Sequence, residues 1–248
     1  MMNQPGTTDA PAEDYSNMSS TKFFARLLAT AALGAIPTIC LADDATHVGF
    51  AVTGGLSGLG ADVGVNITDF VGVRATAAGF SISKNGNYGT DVTWNGNLKL
   101  FQAGALLDVF PFAGAFHLTA GVVQDGNKFT LTGQPSSGNF TFNGNTYPSS
   151  DVASAAATVE WNKAVPYVGL GFGNLGGSRG LHFTSDLGAL ITGSPNATVN
   201  VVCSAAGQVA GVCAALANDV AAEQTKLQND VHKLTFWPVL RFGVGFSF

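Results

Sequence analysis

Six charged residues stand alone within stretches of small and apolar residues, and their types could support acid–base or ion-conducting chemistry. They are Asp62, Arg74, Asp108, Glu160, Asp186 and Arg241. Carboxylate and guanidinium groups that are removed from water must pair with one another, because an isolated buried charge is costly. Together, these six residues would form either a structural salt-bridge network or a gate on a narrow polar path for a small solute. The structural network is the favoured interpretation.

Two histidines and a serine invite a catalytic interpretation, since His117, His182 and Ser185 could supply a base and a nucleophile. Nucleophilic chemistry requires the base within hydrogen-bonding reach of the hydroxyl. Ser185 and His182 would lie on opposite faces of one predicted strand, and no HxxxH or paired-carboxylate motif accompanies them. We therefore predict no catalytic residue, no metal site and no cofactor, and we interpret the histidines as interior filler or hydrogen-bonded lumen residues.

Two of the three cysteines, Cys203 and Cys213, follow the N-terminal region. Their spacing fits neither a zinc site nor a redox CxxC motif. In an exported protein such a pair can form a disulfide. Two unpaired thiols are the alternative.

These residues would be positioned by strands, because large apolar residues alternate with small or polar ones along much of the chain. In "LFQAGALLDVF", which begins at Leu100, one face would carry Phe101, Ala103, Ala105, Leu107 and Val109. Alternation alone fits a soluble sandwich and a membrane barrel equally well. The second face holds Gly, Asn, Thr and His with little Lys or Glu, which favours a narrow barrel interior.

Eight strands are predicted, near 46–53, 57–67, 70–83, 92–109, 115–133, 157–173, 180–193 and 235–248. The links after the second, fourth and sixth strands are short, whereas those near 134–156 and 194–234 are long, as in bacterial outer-membrane barrels. Pro166 makes the sixth strand the weakest prediction, since Pro is poorly tolerated in a paired strand. Aromatic residues near the strand ends would form interfacial girdles: Phe70, Phe110, Phe112, Phe172 and Trp237.

The long seventh link predicts a helix within "ALANDVAAEQTKLQNDVHKL". Its apolar stripe would be Leu216, Val220, Leu227, Val231 and Leu234. Asn218 or Asp219 would cap an internal start of this helix. The segment would be either a structured extracellular loop with a disulfide collar, or a lid or partner-binding helix.

The N-terminal region divides into two parts. Residues 1–17 are polar and indicate a disordered extension or a mis-assigned start. Residues 18–42 have the layout of a secretory signal peptide, with Lys22 and Arg26 before a short apolar stretch at 27–36. Residues 43–248 would then form the barrel. The formal net charge is -5 with scattered Lys and Arg, which excludes a basic nucleic-acid footprint.

The chain resembles the small bacterial outer-membrane β-barrel proteins of the OmpA/OmpW-type superfamily, and within it an uncharacterised proteobacterial family. The segments that carry this resemblance are "LLDVFPF" (106–112), "FHLTAGVVQDGN" (116–127), "PYVGLGFGN" (166–174) and "FWPVLRFGVGFSF" (236–248). The resemblance implies an outer-membrane location in a Gram-negative cell and no reaction. It also implies that the terminal aromatics Phe246 and Phe248 form the signal for the barrel-assembly machinery.

The predicted fold is therefore all-β: an eight-stranded antiparallel transmembrane β-barrel with one helix in a long extracellular loop. The expected function is non-enzymatic, as a structural or surface-interaction protein or a very narrow pore for small solutes. A lipid-modifying outer-membrane enzyme is the alternative, and a soluble lipocalin-like carrier is a third hypothesis. The expected partners are outer-membrane lipid and the barrel-assembly machinery, with no nucleic acid, and the protein is expected to be a monomer.

Overall fold

A computed structural model of the protein describes residues 47–86, 93–134 and 138–248. The predicted extension (1–17) and signal peptide (18–42) lie outside these residues. The strands are β1 (Val48–Gly55), β2 (Gly58–Thr68), β3 (Val71–Gly86), β4 (Thr93–Val109), β5 (Phe116–Gln134), β6 (Asn139–Phe142), β7 (Asn145–Pro148), β8 (Val152–Phe172), β9 (Gly180–Leu190), β10 (Asn196–Cys203) and β11 (Trp237–Ser247). The helices are α1 (Ala205–Val209) and α2 (Cys213–Val231).

Eight strands close into a ring, in the order β1, β2, β3, β4, β5, β8, β9 and β11. The closing pair joins β1 to β11, from Gly49 opposite Ser247 to Gly55 opposite Arg241. A closed ring has no edge strand, so the backbone groups of its wall bond within the ladder. The predicted eight-stranded antiparallel barrel is confirmed.

The two faces of each ring strand differ as the alternation predicted. In β1, Gly49, Ala51 and Thr53 are buried, whereas Phe50 and Val52 are 45% and 61% exposed. The same inward and outward alternation runs through the other ring strands, because successive side chains of a strand point to opposite faces. The exposed face is apolar, and the buried face holds small and polar residues together with one group of larger apolar side chains.

The barrel has two different ends. We call the rim that holds the start of β1 and the end of β11 the turn end, since it also carries the short links 69–70, 110–115 and 173–179. The opposite rim, the loop end, carries the long links around β6, β7 and β10. Both chain termini of the ring and all three even-numbered links therefore share one rim, as the link lengths indicated.

Beyond the level where Gly79 pairs with Phe101, the polarity of the two faces reverses. There the outward face becomes polar: the side chain of Asn97 donates to Ser83 at 2.6 Å, and that of Asn95 donates to Asn85 at 2.5 Å. Below this level, the stretch of β4 from Phe101 to its end has the length of about nine residues that a membrane-crossing strand needs. The reversal therefore marks one boundary of the apolar belt.

Strand β8 is longer than predicted and continuous through Pro166, so the doubt about this strand was wrong. Pro166 lies where β8 changes partner, from β9 at Tyr167–Phe172 to β10 at Val152–Glu160. Its carbonyl accepts a hydrogen bond from the backbone N–H of Ile191 at 2.9 Å. The side of Pro166 that lacks an N–H faces the point where β9 ends. Few hydrogen bonds between strands are therefore lost there.

The loop end contains more structure than the single predicted helix. The hairpin β6–β7, strand β10 and the short helix α1 were all missed. Helix α2 begins at Cys213 after Val212, which makes no side-chain cap, so the predicted cap at Asn218 or Asp219 is wrong. None of the helices within the described residues is long and apolar enough to cross a membrane.

Helix α2 covers the free edge of β10. The side chains of Gln228 and Gln224, one helical turn apart, accept hydrogen bonds from the backbone N–H groups of Ala197 and Val199 at 2.8 and 3.2 Å. An uncovered strand edge invites pairing with other chains. The glutamines thus replace a neighbouring strand. A disulfide between Cys203 and Cys213 ties the end of β10 to the start of α2.

Candidate functional site

Five of the six predicted interior charges meet inside the barrel, near the turn end. Asp62 comes from β2, Arg74 from β3, Asp108 from β4, Asp186 from β9 and Arg241 from β11. All five are at most 6% exposed. The antiparallel registers bring them to one level, because each lies on the inward face of its strand. We call these five residues the charge cluster.

Arg74 is the centre of the charge cluster. Its Nε and Nη2 atoms donate to the two carboxylate oxygens of Asp108 at 2.9 and 3.0 Å. Its Nη1 and Nη2 atoms donate to the two oxygens of Asp186 at 2.9 and 2.8 Å. Nη1 also lies 3.2 Å from Asp62. Two bidentate pairs fix a guanidinium plane in place, since the forked donors match both oxygens of each carboxylate.

Arg241 supplies the second cation of the charge cluster. It lies 3.5 Å from Asp62 and 3.3 Å from Asp186, and it donates to the hydroxyl of Thr76. Three carboxylates thus face two guanidinium groups. Arg241 sits directly opposite Asp186 in the β11–β9 register, so the closing strand completes the cluster.

Two inward residues of β5, Thr119 and His117, also belong to this site. The hydroxyl of Thr119 donates to Asp108 at 2.6 Å. Nε2 of His117 lies 3.4 Å from Asp186, and Nδ1 lies 3.3 Å from the carbonyl of Ala115. Their inward positions were predictable from the alternation in β5. The contact of His117 with Asp186, which is distant along the chain, was not.

Glu160 is the exception among the six, and its assignment to the interior network was wrong. Trp161 is the inward residue at this point of β8, so the neighbouring Glu160 faces outward. Its carboxylate forms a half-exposed ion pair with Lys128 at 3.1 Å. Glu160 also lies beyond the polarity reversal, where the outward face carries charges.

The catalytic candidates do not assemble. His182 bonds the carbonyl of Ser178 at 2.7 Å, while Ser185 lies on the other face of β9. Residues 176–180 (GGSRG) match a GxSxG pattern that sequence reasoning passed over. They form a turn followed by a strand, whereas a nucleophile elbow leads from a strand into a helix. Across the described part of the chain, no group of three His, Cys, Asp or Glu side chains could hold a metal ion.

The turn between β8 and β9 folds into the turn end of the barrel. Leu175 in this turn is only 6% exposed, and its carbonyl accepts a hydrogen bond from the hydroxyl of Ser247 at 2.7 Å. Gly49 and Gly245 make room for it: a Cβ at Gly49 would lie 2.0 Å from the Leu175 carbonyl oxygen, and one at Gly245 would lie 2.8 Å from its side chain. We call residues 173–179 the inserted turn.

The interior is also filled on the loop-end side of the charge cluster. An apolar layer is formed by Leu106, Val123, Val165, Tyr167, Leu190 and Val239, all at most 3% exposed. Between the charge cluster and the inserted turn, a cavity of about 10 Å³ borders Arg74, Asp108 and His117. That volume is about enough for one water molecule. Packed side chains therefore occupy the lumen at three successive levels.

A second polar cluster holds the loop-end elements together around Asp219 of α2. Its carboxylate accepts from the hydroxyl of Tyr147 at 2.5 Å and from the side chains of Asn145 and Asn143 at 2.9 and 3.2 Å. These bonds lower the pKa of Asp219, and the same contact raises the pKa of Tyr147 to about 12. The residue predicted as a helix cap is instead the anchor of the β6–β7 hairpin.

We expect the loop-end assembly to lose stability at both extremes of pH. The lowered pKa of Asp219 gives a contribution that is complete above the unfolded value of about 3.9 and is lost as the pH falls through the folded value. The raised pKa of Tyr147 gives a contribution that is complete below the unfolded value of about 10 and is lost as the pH rises to about 12. Urea unfolding of α2 at a series of pH values, followed by far-ultraviolet circular dichroism, measures the loss of stability at low pH and at high pH.

The loss of stability at low pH can be tested with a matched pair of variants. Asp219→Asn should flatten it, because the remaining side chain no longer titrates. Asp230→Asn removes an exposed carboxylate from the same helix and should leave it unchanged. An equal loss of stability at low pH in both variants would contradict the assignment to Asp219.

The closed ring of eight strands with a filled interior defines the class of small eight-stranded β-barrels. Two solved structures share this fold. CarO2 from Acinetobacter baumannii matches with 19% identity and a TM-score of 0.52, over 82% of this chain and 98% of that chain. CarO from the same organism matches with 19% identity and a TM-score of 0.51, over 81% and 97%. No protein-family model matches the sequence, and no curated protein matches it at a significant level.

Proposed function

We propose that this protein is a non-enzymatic barrel of the bacterial outer membrane with a closed lumen, serving a structural or surface-interaction role. One observation carries the proposal: an apolar exterior surrounds an interior that is filled at three levels. The inserted turn, the charge cluster and the apolar layer follow one another along the barrel axis. Such an interior supports the barrel wall and leaves no solute-sized passage through these layers.

The exterior supports a position in lipid. Large apolar side chains on the wall are exposed to an extent that water would penalise at about 25 cal/mol per Å²: Val52, Leu59, Val63, Ile67, Phe183, Leu187 and Phe242 are each more than half exposed. Phe70, Phe112 and Phe172 are also exposed at the turn end, as expected of an interfacial girdle. Phe110 is not part of it, because it is buried against His117.

The orientation follows from the two ends. Bacterial outer-membrane barrels keep short turns in the periplasm and long loops outside. The turn end would then face the periplasm, and the loop end, with α2 and its disulfide, would face the outside. Outer-membrane lipid is the partner of the apolar belt, and the protein is a monomer in this proposal, since the ring is closed within one chain.

The C-terminal aromatics would be the signal for the barrel-assembly machinery. Phe248 is 60% exposed at the turn end and packs on Phe246 and Phe50 at ring-centroid distances of 5.2 and 6.1 Å. Deleting Phe248 should lower the amount of folded barrel in the membrane severalfold while leaving export intact. Quantifying folded and periplasmic protein in cell fractions measures this. Normal membrane levels of the deletion variant would contradict the role, and Phe236→Ala serves as an exposed aromatic control.

Recording in planar bilayers tests the closed lumen. We expect reconstituted protein to give no steps in current, because the charge cluster fills the cross-section. Resolved single-channel steps would instead favour the very narrow pore. Migration of unheated and boiled samples on a gel separates this outcome from a failure to fold, since a folded barrel migrates differently before boiling. The alternative function was a lipid-modifying enzyme, and no observation on His117 or His182 supports it.

A further inference from the structure

The strands β3, β4 and β5 continue past the polarity reversal at residues 80–86, 93–100 and 127–134, which we call the extension. Strand β5 remains paired with β8 along this segment. The face of the extension that continues the barrel interior contains a groove of about 380 Å³. It is lined by Ile82, Lys84, Gly96, Leu98, Phe129 and Leu131. Small-molecule sites in proteins have volumes of this order and mostly apolar walls.

The register explains the shape of the groove. Leu98 pairs with Ile82 on one side and Phe129 on the other, which makes a continuous apolar rung. On the next rung Gly96 stands between Lys84 and Leu131. Gly96 has no side chain, so this rung forms a floor between two raised flanks.

The groove is apolar at a level where the surroundings are aqueous. The opposite face of the extension is polar there, as the hydrogen bond from Asn97 to Ser83 shows. Ile82 and Phe129 remain 40% and 41% exposed in the groove. Elsewhere on the same inward face the fold covers such residues: Trp94 packs edge-on against Phe140 of the β6–β7 hairpin at 6.0 Å. An acyl chain lying in the groove would be removed from water in the same way.

Lys84 is the ionisable side chain of the groove. Within the part of the chain that the structure describes, no hydrogen bond or ion pair engages it. Lys128, on the opposite face of the extension, is by contrast paired with Glu160. One ammonium group beside an apolar trough complements a ligand with one negative charge and a long apolar tail.

We propose that this groove binds a long-chain carboxylate, with the acyl chain on Ile82, Leu98 and Phe129 and the carboxylate on Lys84. The binding goes beyond the proposed function and rests on it only for the position of the groove outside the bilayer. A single carboxylate is favoured over a phosphate, because the groove offers one cation.

The test uses the full chain in phospholipid nanodiscs, titrated with sodium decanoate in a calorimeter, with empty discs to subtract partitioning into lipid. Lys84→Gln should weaken decanoate binding about threefold to fivefold, the size expected of one exposed ion pair. Lys99→Gln makes the same charge change on the same hairpin but on the outward face, and should leave the affinity unchanged. Decanol, which is uncharged, should bind the wild type and Lys84→Gln alike.

Three results of the binding experiments would overturn the proposal. They are no saturable decanoate binding by folded wild type, equal weakening by the two lysine variants, and unchanged binding after Leu98→Asn. Cross-linking of two chains through cysteines placed at positions 82 and 129 would show that a second copy fills the groove, which also overturns it. Gel migration before and after boiling identifies a failure to fold, so the barrel and the groove are tested separately.

Discussion

Replacing Arg74 with Met is expected to destabilise the folded barrel by about 3–5 kcal/mol, the usual consequence of removing one partner from a buried ion pair. Arg74 holds Asp108 and Asp186 through paired hydrogen bonds and also contacts Asp62. Without it, Asp62 and Asp186 retain Arg241 as their guanidinium partner, whereas Asp108 keeps only its hydrogen bond from Thr119. The measurement is urea unfolding in lipid vesicles, with the folded fraction determined by gel migration before and after boiling.

Two further variants make this result specific. Arg179→Met removes an exposed arginine from the inserted turn and should cost little, because surface charges contribute at most about 1 kcal/mol. Arg74→Met combined with Asp108→Asn should recover part of the loss, since one uncompensated charge is removed. If Arg74→Met unfolds at the wild-type urea concentration, the charge cluster does not hold the barrel together.

Gly49→Val should expel the inserted turn from the turn end of the barrel. A Cβ at this position would lie 2.0 Å from the backbone oxygen of Leu175, so the turn must move. Overpacking of this kind costs about 1–3 kcal/mol and here also breaks the hydrogen bond from Ser247 to Leu175. We expect faster tryptic cleavage after Arg179, because a released turn reaches the protease more readily.

Gly54→Val is the matched control on the same strand. Gly54 faces outward, and its added Cβ would meet only the side chain of Leu59, at 3.5 Å. Cleavage after Arg179 and the urea midpoint should both stay at wild-type values. Equal cleavage rates in the two variants would contradict the role of Gly49 as the space that receives the turn.

The wall of the barrel was predictable from the sequence because strand periodicity is local. Asp62, Arg74, Asp108, Asp186 and Arg241 lie on the inward faces that alternation assigned to them. Glu160 was misplaced, because the wall of β8 extends past the apolar belt, where outward charges are exposed to water. Period-two patterning assigns a face, but it does not mark where the outward face changes from apolar to polar.

The loop end was the least predictable part. Its helix was foreseen from an apolar stripe, yet Asp219 was assigned to a helix cap. In the structure this carboxylate binds Tyr147 and two asparagines from a hairpin about seventy residues earlier in the chain. The glutamines that cover the edge of β10 carry no sequence signature, since an exposed helix face commonly carries such residues.

The sequence by itself determined the period of the strands, the number of strands in the ring, the two faces of the wall and five of the interior charges. Each of these depends on neighbours a few residues apart. Ring closure decided the rest: which carboxylates share Arg74, that His117 joins them, and that Leu175 enters the barrel between glycines of β1 and β11. These contacts join residues that are distant along the chain, so only the assembled barrel brings the side chains together.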